Sequence, residues 1–132
     1  MSGLLMLDTN AVSALVKGKA PALAALLIAR PFCISVVTEA EIRYGLARRP
    51  VNADLRDLVE SLLRTIDIRP WTTETAHRYA PLRAQLDAMG KPLAPLDLMI
   101  AAQALTAGAT LVTGDRAFAQ VPGLAIEEYS SS

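Results

Sequence analysis

One cysteine, Cys33, stands alone in 132 residues. It excludes an internal disulfide framework, and the chain suits a reducing cytoplasm. Histidine is equally scarce: His77 is the only one, so there is no Cys/His set for a structural zinc. The longest apolar run, Ala22 to Ala29, is far too short to span a bilayer. The opening Met-Ser-Gly-Leu-Leu-Met-Leu-Asp has no basic stretch and meets an acid at Asp8, which argues against a signal peptide. Net charge is lacking too, since thirteen Lys+Arg offset thirteen Asp+Glu. That balance argues against holding nucleic acid by bulk positive charge and leaves room only for a local basic patch. What the chain does have is apolar content. Hydrophobic residues make up 52% of it, which excludes disorder and supplies the core of one domain over residues 1–132.

Leu4-Leu5-Met6-Leu7 is an apolar run of strand length, the pattern of a strand buried on both faces of a parallel sheet. Asp8-Thr9-Asn10 supplies capping chemistry for a helix over Ala11 to Val16 that stops at Gly18. Pro21 opens a second helix to Arg30, and Phe32 to Val37 is the next buried strand. A helix from Thr38 to Arg48 closes before Pro50. Asn52 caps a helix through Arg64, with Leu55, Leu58, Val59, Leu62 and Leu63 on one face. Ile66 to Arg69 alternates like a strand. Thr73 to Met89 is a long helix ending at Gly90, in which Pro81 predicts a kink. Asp97 to Ala107 is a helix set between Pro95 and Gly108. Thr110 to Thr113 is an apolar strand, Leu124 to Ile126 a short last one, and Ser130 to Ser132 a frayed tail. Strands alternating with helices predict an α/β layered sheet with right-handed crossovers.

Acids fall at informative places. In an open parallel sheet, ligands bind beyond the carboxyl ends of the strands. Asp8 follows the first strand at once, and Asp115 follows Leu111-Val112-Thr113 by one glycine. Glu41 lies one turn into the helix after the second strand, and Asp97 opens the helix that leads to the Asp115 strand. Each has a purely structural alternative. Asp8 is also a helix N-cap, Asp97 a partner of the helix dipole, Glu41 a solvated helix residue and Asp115 a turn former. Together they are harder to dismiss, because Asp8 and Asp97 are embedded among apolar residues, where an unpaired carboxylate is costly. Converging carboxylates need a cation, and oxygen-only ligands point to magnesium or manganese.

Leu4-Leu5-Met6-Leu7-Asp8-Thr9-Asn10, the segment Ile34 to Gly45, Pro95-Leu96-Asp97-Leu98-Met99-Ile100-Ala101-Ala102 and Leu111 to Phe118 follow one another in order with sensible spacing. In this series, closed by Val121-Pro122-Gly123-Leu124, the chain resembles the PIN-domain ribonucleases, and specifically the VapC toxins of bacterial toxin–antitoxin pairs. The resemblance implies a central parallel sheet of about five strands flanked by helices. It assigns catalytic and metal-holding roles to Asp8, Glu41, Asp97 and Asp115, with Mg²⁺ or Mn²⁺ as cofactor. It also implies a structured RNA substrate such as tRNA, a homodimer, and a VapB-like antitoxin whose C-terminal segment covers the acidic site. Glu39 sits two residues before Glu41, so on a helix the two point about 200° apart. The family register selects Glu41. Thr9, Asn10 and Thr113 read first as caps, with contact to a carboxylate or a metal-bound water as the alternative.

Other polar residues read as structural. His77 belongs on a helix surface, Cys33 in the core and Trp71 in packing. Arg43, Arg48 and Arg49 lie near Glu41 in sequence and suit either an RNA groove or a solvated helix face. Other classes fit less well. A receiver domain expects paired acids after the first strand and a late lysine, whereas Asp8 precedes Thr9-Asn10 and no lysine follows Lys91. A haloacid-dehalogenase-type phosphatase wants a second Asp where this chain has Asn10. The remaining alternative is a non-catalytic interaction module whose acids are merely helix caps.

Overall fold

A computed structural model describes residues 3–48, 50 and 52–129. The strands are β1 (Leu5–Leu7), β2 (Phe32–Ser35), β3 (Asp67–Arg69), β4 (Thr110–Thr113) and β5 (Ile126–Glu128). The helices are α1 (Thr9–Val16), α2 (Pro21–Ala29), α3 (Val36–Ala47), α4 (Ala53–Thr65), α5 (Thr73–Ala88) and α6 (Pro95–Ala107). All strand pairs are parallel, in the order β3-β2-β1-β4-β5.

The central strand explains the layering. Successive side chains of a strand point to opposite faces. Leu4 and Met6 join one apolar layer, with Cys33, Leu111 and residues of α5 and α6. Leu5 and Leu7 join the other, with Ile34, Val112 and residues of α1, α2 and α4. A strand buried on both faces has no polar side to show, which is why its sequence is a continuous apolar run. Helix α3 contributes to both layers, Val37 to the first and Ile42 and Leu46 to the second.

Several details differ from the sequence reading. Strand β2 stops at Ser35, whose buried hydroxyl accepts from the Val37 amide at 2.9 Å, so α3 starts at Val36 rather than Thr38. The β-branched pair Val36-Val37 reads as strand, but the cap turns the chain first. The last strand is Ile126–Glu128, displaced by two residues because the turn at Gly123 (φ +78°) holds Leu124 back against Val121. Helix α5 carries Pro81 in its interior, as the sequence reading placed it. In α4, Val59 and Leu63 are buried while Leu58 is 52% exposed, off the predicted face. Arg49 and Ser130 to Ser132 lie outside the described residues. Among the described residues no single helix is long and apolar enough to cross a membrane.

Candidate active site

Parallel pairing brings the carboxyl ends of β1, β2 and β4 to one edge, and the four acids assemble there. Asp8 is the first residue past β1, and its amide extends the pairing to the Val112 carbonyl at 3.1 Å. Its side chain is 6% exposed, and one oxygen accepts from the Ala11 amide at 2.8 Å as the N-cap of α1. Asp8 is therefore a cap and a member of the acidic group at once. Burial pushes its pKa up, opposed by hydrogen bonds from Thr113 and the Ala11 amide, and the charges of Asp115 and Glu41 push it further. Asp97 lies in the first turn of α6, half-buried. Its pKa is likewise raised, by burial first and then by Glu41, Asp115 and Asp8. No cationic side chain offsets either carboxyl among the described residues.

Thr113 links two members. Its hydroxyl bonds to Asp8, while its oxygen accepts from the Asp115 amide at 3.0 Å. Asp115 is exposed, and its carboxylate caps a 3-10 turn through the Ala117 amide at 2.9 Å. Thr9 departs from the cap reading, since its hydroxyl donates to Glu41 Oε1 at 2.8 Å. Glu39 faces away as helix geometry requires, paired with Arg43 at 2.9 Å. Arg43 also reaches Glu60 of α4 at 2.9 Å, so it fastens α3 to α4. Arg48 lies over the Tyr44 ring, 5.7 Å from its centroid. His77 is exposed, Cys33 is fully buried, and Trp71 donates to the Met99 carbonyl at 2.9 Å, a packing role.

Two recesses adjoin the acids. A groove of about 1030 Å³ runs between α1, α3 and α4, with Thr9 and Glu41 among its lining residues. A smaller cavity is lined by Asn10, Gly114, Asp115 and Tyr129. Tyr129 was missed from sequence: burial and then the charge of Asp8 raise its pKa, which places the phenol within electrostatic reach of the site. The only signal was the register of a final strand whose pairing the sequence does not reveal.

The donor set is oxygen-only, which suits a hard divalent cation. Among the described residues no three acidic, imidazole or thiol groups close into a cage around one point. Mg²⁺ does not need one, since it is usually held by one or two carboxylates and keeps several waters. Mutually repelling carboxylates with no cationic offset fit such an ion.

A family model of the PIN domain matches residues 5–124. The tRNA(fMet)-specific endonuclease VapC of Shigella flexneri is 32% identical over 128 residues, covering 95% of this chain and 97% of that protein. The structure of DNA-bound VapBC from Salmonella typhimurium aligns with a TM-score of 0.87 and 30% identity, over 94% of this chain and 96% of the other. VapBC2 from Rickettsia felis, bound to a promoter DNA fragment, gives a TM-score of 0.87 at 26% identity, over 96% and 99%. A parallel five-stranded sheet with acids at its carboxyl edge is the PIN architecture, and this chain belongs to the PIN-domain family, in its VapC branch.

Proposed function

We propose that the protein is a metal-dependent endoribonuclease toxin that cuts structured RNA, with tRNA as its substrate, and so inhibits translation. In this reading it acts as a homodimer in the cytoplasm and is restrained by a VapB-like antitoxin. The observation that carries it is the gathering of four acids at the carboxyl edge of the sheet. There burial first and neighbouring carboxylate charges second raise the pKa values of Asp8 and Asp97, with no cationic side chain among the described residues to offset either. Acids converging at one sheet edge suit metal-assisted hydrolysis of a phosphodiester. The relatives named as a tRNA(fMet) endonuclease and the solved VapBC complexes support the substrate and the partner.

Asp8, Glu41, Asp97 and Asp115 would hold Mg²⁺ or Mn²⁺, which when bound supplies an acidified water and stabilises charge on the phosphoryl oxygens. The chain's own contribution is positioning. The Ala11 amide and Thr113 set the Asp8 carboxylate, and Thr9 sets that of Glu41. One carboxylate of the group takes the proton lost by the attacking water.

The interaction-module alternative has one observation in its favour, since Asp8 and Asp115 do cap helical turns. It leaves two acids unexplained. Glu41 sits inside α3, and α6 is capped by Ala94 with no side-chain bond, so Asp97 caps nothing. Incubating purified protein with unfractionated tRNA in Mg²⁺, Mn²⁺ or EDTA tests the reading. Cleavage with either metal and none in EDTA is expected; undiminished cleavage in EDTA overturns the metal mechanism, and none under any condition overturns the nuclease.

A further inference from the structure

At the edge of the acidic group, Asn10, Gly114, Asp115 and Tyr129 line an open recess of about 380 Å³. Its aromatic wall is a product of register. Thr113 pairs with Glu128 across β4 and β5, so the next residues on the two strands, Gly114 and Tyr129, lie side by side. A Cβ on Gly114 would stand 3.6 Å from Tyr129 Cζ and 3.7 Å from its hydroxyl oxygen. Having no side chain, Gly114 leaves the outer end of the ring uncovered. The rest of the ring packs against the core layer that holds Leu5, Leu7 and Val112, which keeps it in place. Among the described residues neither the phenol hydroxyl nor the exposed Asn10 carboxamide has a hydrogen-bond partner.

The lining selects the occupant by chemistry. Among the described residues no lysine or arginine lines the recess to seat a phosphate, so the uncharged part of a nucleotide belongs here. A phenol ring stacks a base, and a carboxamide offers both donor and acceptor to a base edge. Base faces are hidden in a duplex, so the nucleotide must be unpaired or splayed out of a loop. We infer that Tyr129 and Asn10 form a subsite that holds an unpaired nucleobase next to the scissile phosphate, making Tyr129 a substrate-positioning residue of the nuclease. The inference rests on the ribonuclease reading above, yet its binding arm can be read without cleavage.

The test uses an Asp8→Asn protein in Mg²⁺ and a single-stranded RNA with 2-aminopurine at every purine, whose fluorescence falls on stacking. Binding with quenching is expected in that parent and with Tyr129→Phe or Tyr129→Trp, within about twofold in Kd. Tyr129→Leu should weaken binding about tenfold and lose the quench. In the Asp8 protein with tRNA, Tyr129→Leu should raise KM about tenfold with kcat nearly unchanged. A melting curve separates these effects from a packing role. If Tyr129→Leu melts lower but binds and quenches like the parent, the tyrosine only fills the core and the subsite is wrong. Equal losses for Phe and Leu also overturn base stacking, as does absence of quenching in the parent. Quenching without any cleavage by the Asp8 protein would instead overturn the nuclease and leave the base subsite standing.

Discussion

The Thr9 hydroxyl donates to Glu41 Oε1 at 2.8 Å, joining residues 32 positions apart. Thr9 is the residue after Asp8, so one turn of chain at the end of β1 carries one acid and orients another. Helix α3 is thereby anchored to the acidic edge by its side chain as well as by its core face.

Replacing Thr9 by Val keeps the shape and removes the donor. A hydrogen bond to a charged group contributes roughly 1.5–3 kcal/mol, so Thr9→Val should slow tRNA cleavage at least about tenfold while remaining folded. Thr9→Ser should restore most of the rate. A valine variant cutting at the original rate in a gel assay would show that Glu41 needs no such support.

The two glutamates of α3 should separate cleanly. Glu41→Gln is expected to abolish cleavage, whereas Glu39→Gln removes only an exposed pair with Arg43 and should leave activity and melting temperature close to those of the original. Asp115 is exposed, so Asp115→Asn should cost no more activity than Asp97→Asn. Equal losses from Glu39 and Glu41 would contradict the orientation of α3.

Asp8 carries two separable roles. Asparagine is as good an N-cap as aspartate, so Asp8→Asn should keep the bond from the Ala11 amide and stay folded while losing cleavage. Asp8→Ala should lose cleavage as well, together with about 1 kcal/mol of stability. Calorimetry of both variants beside the cleavage assay decides it. An Asp8→Asn protein that still cuts RNA removes Asp8 from the chemistry.

Stability without metal should depend on pH in a direction set by Asp8 and Asp97. Their carboxyl pKa values are raised from 3.8, so the folded state binds more protons than the unfolded one. Stability should then fall as pH rises from near 3.8 through the raised values, and stay lower above them. Asp97→Asn, which removes one repelling charge, should raise the melting temperature in EDTA at neutral pH. Mg²⁺ at roughly a hundred times its dissociation constant should stabilise the original by about 2.7 kcal/mol and the variant clearly less. A lower melting temperature for Asp97→Asn in EDTA, with equal responses to Mg²⁺, would reduce Asp97 to a partner of the helix dipole.

Cys33 gives an independent probe of the core. Burial pushes its thiol up to about 11, so it should resist a thiol reagent at pH 8 until the sheet opens. Rapid labelling of folded protein would show that β2 is accessible.

Much of the fold was legible because its signals are local. Strands β1, β2 and β4 are apolar on both faces, and Asn52, Pro21, Pro95 and Gly108 mark helix ends by their own backbone preferences. Strand β5 was misplaced because Ile126-Glu127-Glu128 has no hydrophobic pattern; it exists through pairing with β4 at the sheet edge. Ser35 was hidden for a related reason, since Val36-Val37 favours a strand until the cap ends it. Arg43 also escaped, as its partner Glu60 is 17 positions away on another helix.

The sequence by itself determined that Asp8 and Asp115 end parallel strands and that Glu39 and Glu41 cannot share a direction, because strand termini and helical periodicity are properties of short segments. Helical periodicity alone leaves open which glutamate faces the acids; the family register selects Glu41, and the packing of α3 realises it, where Thr9 takes one and Arg43 the other. Tyr129 enters the site only because parallel register sets it beside Gly114. Segments carry their own propensities, but a convergence of groups far apart in the chain comes from the sheet and core that bring them together.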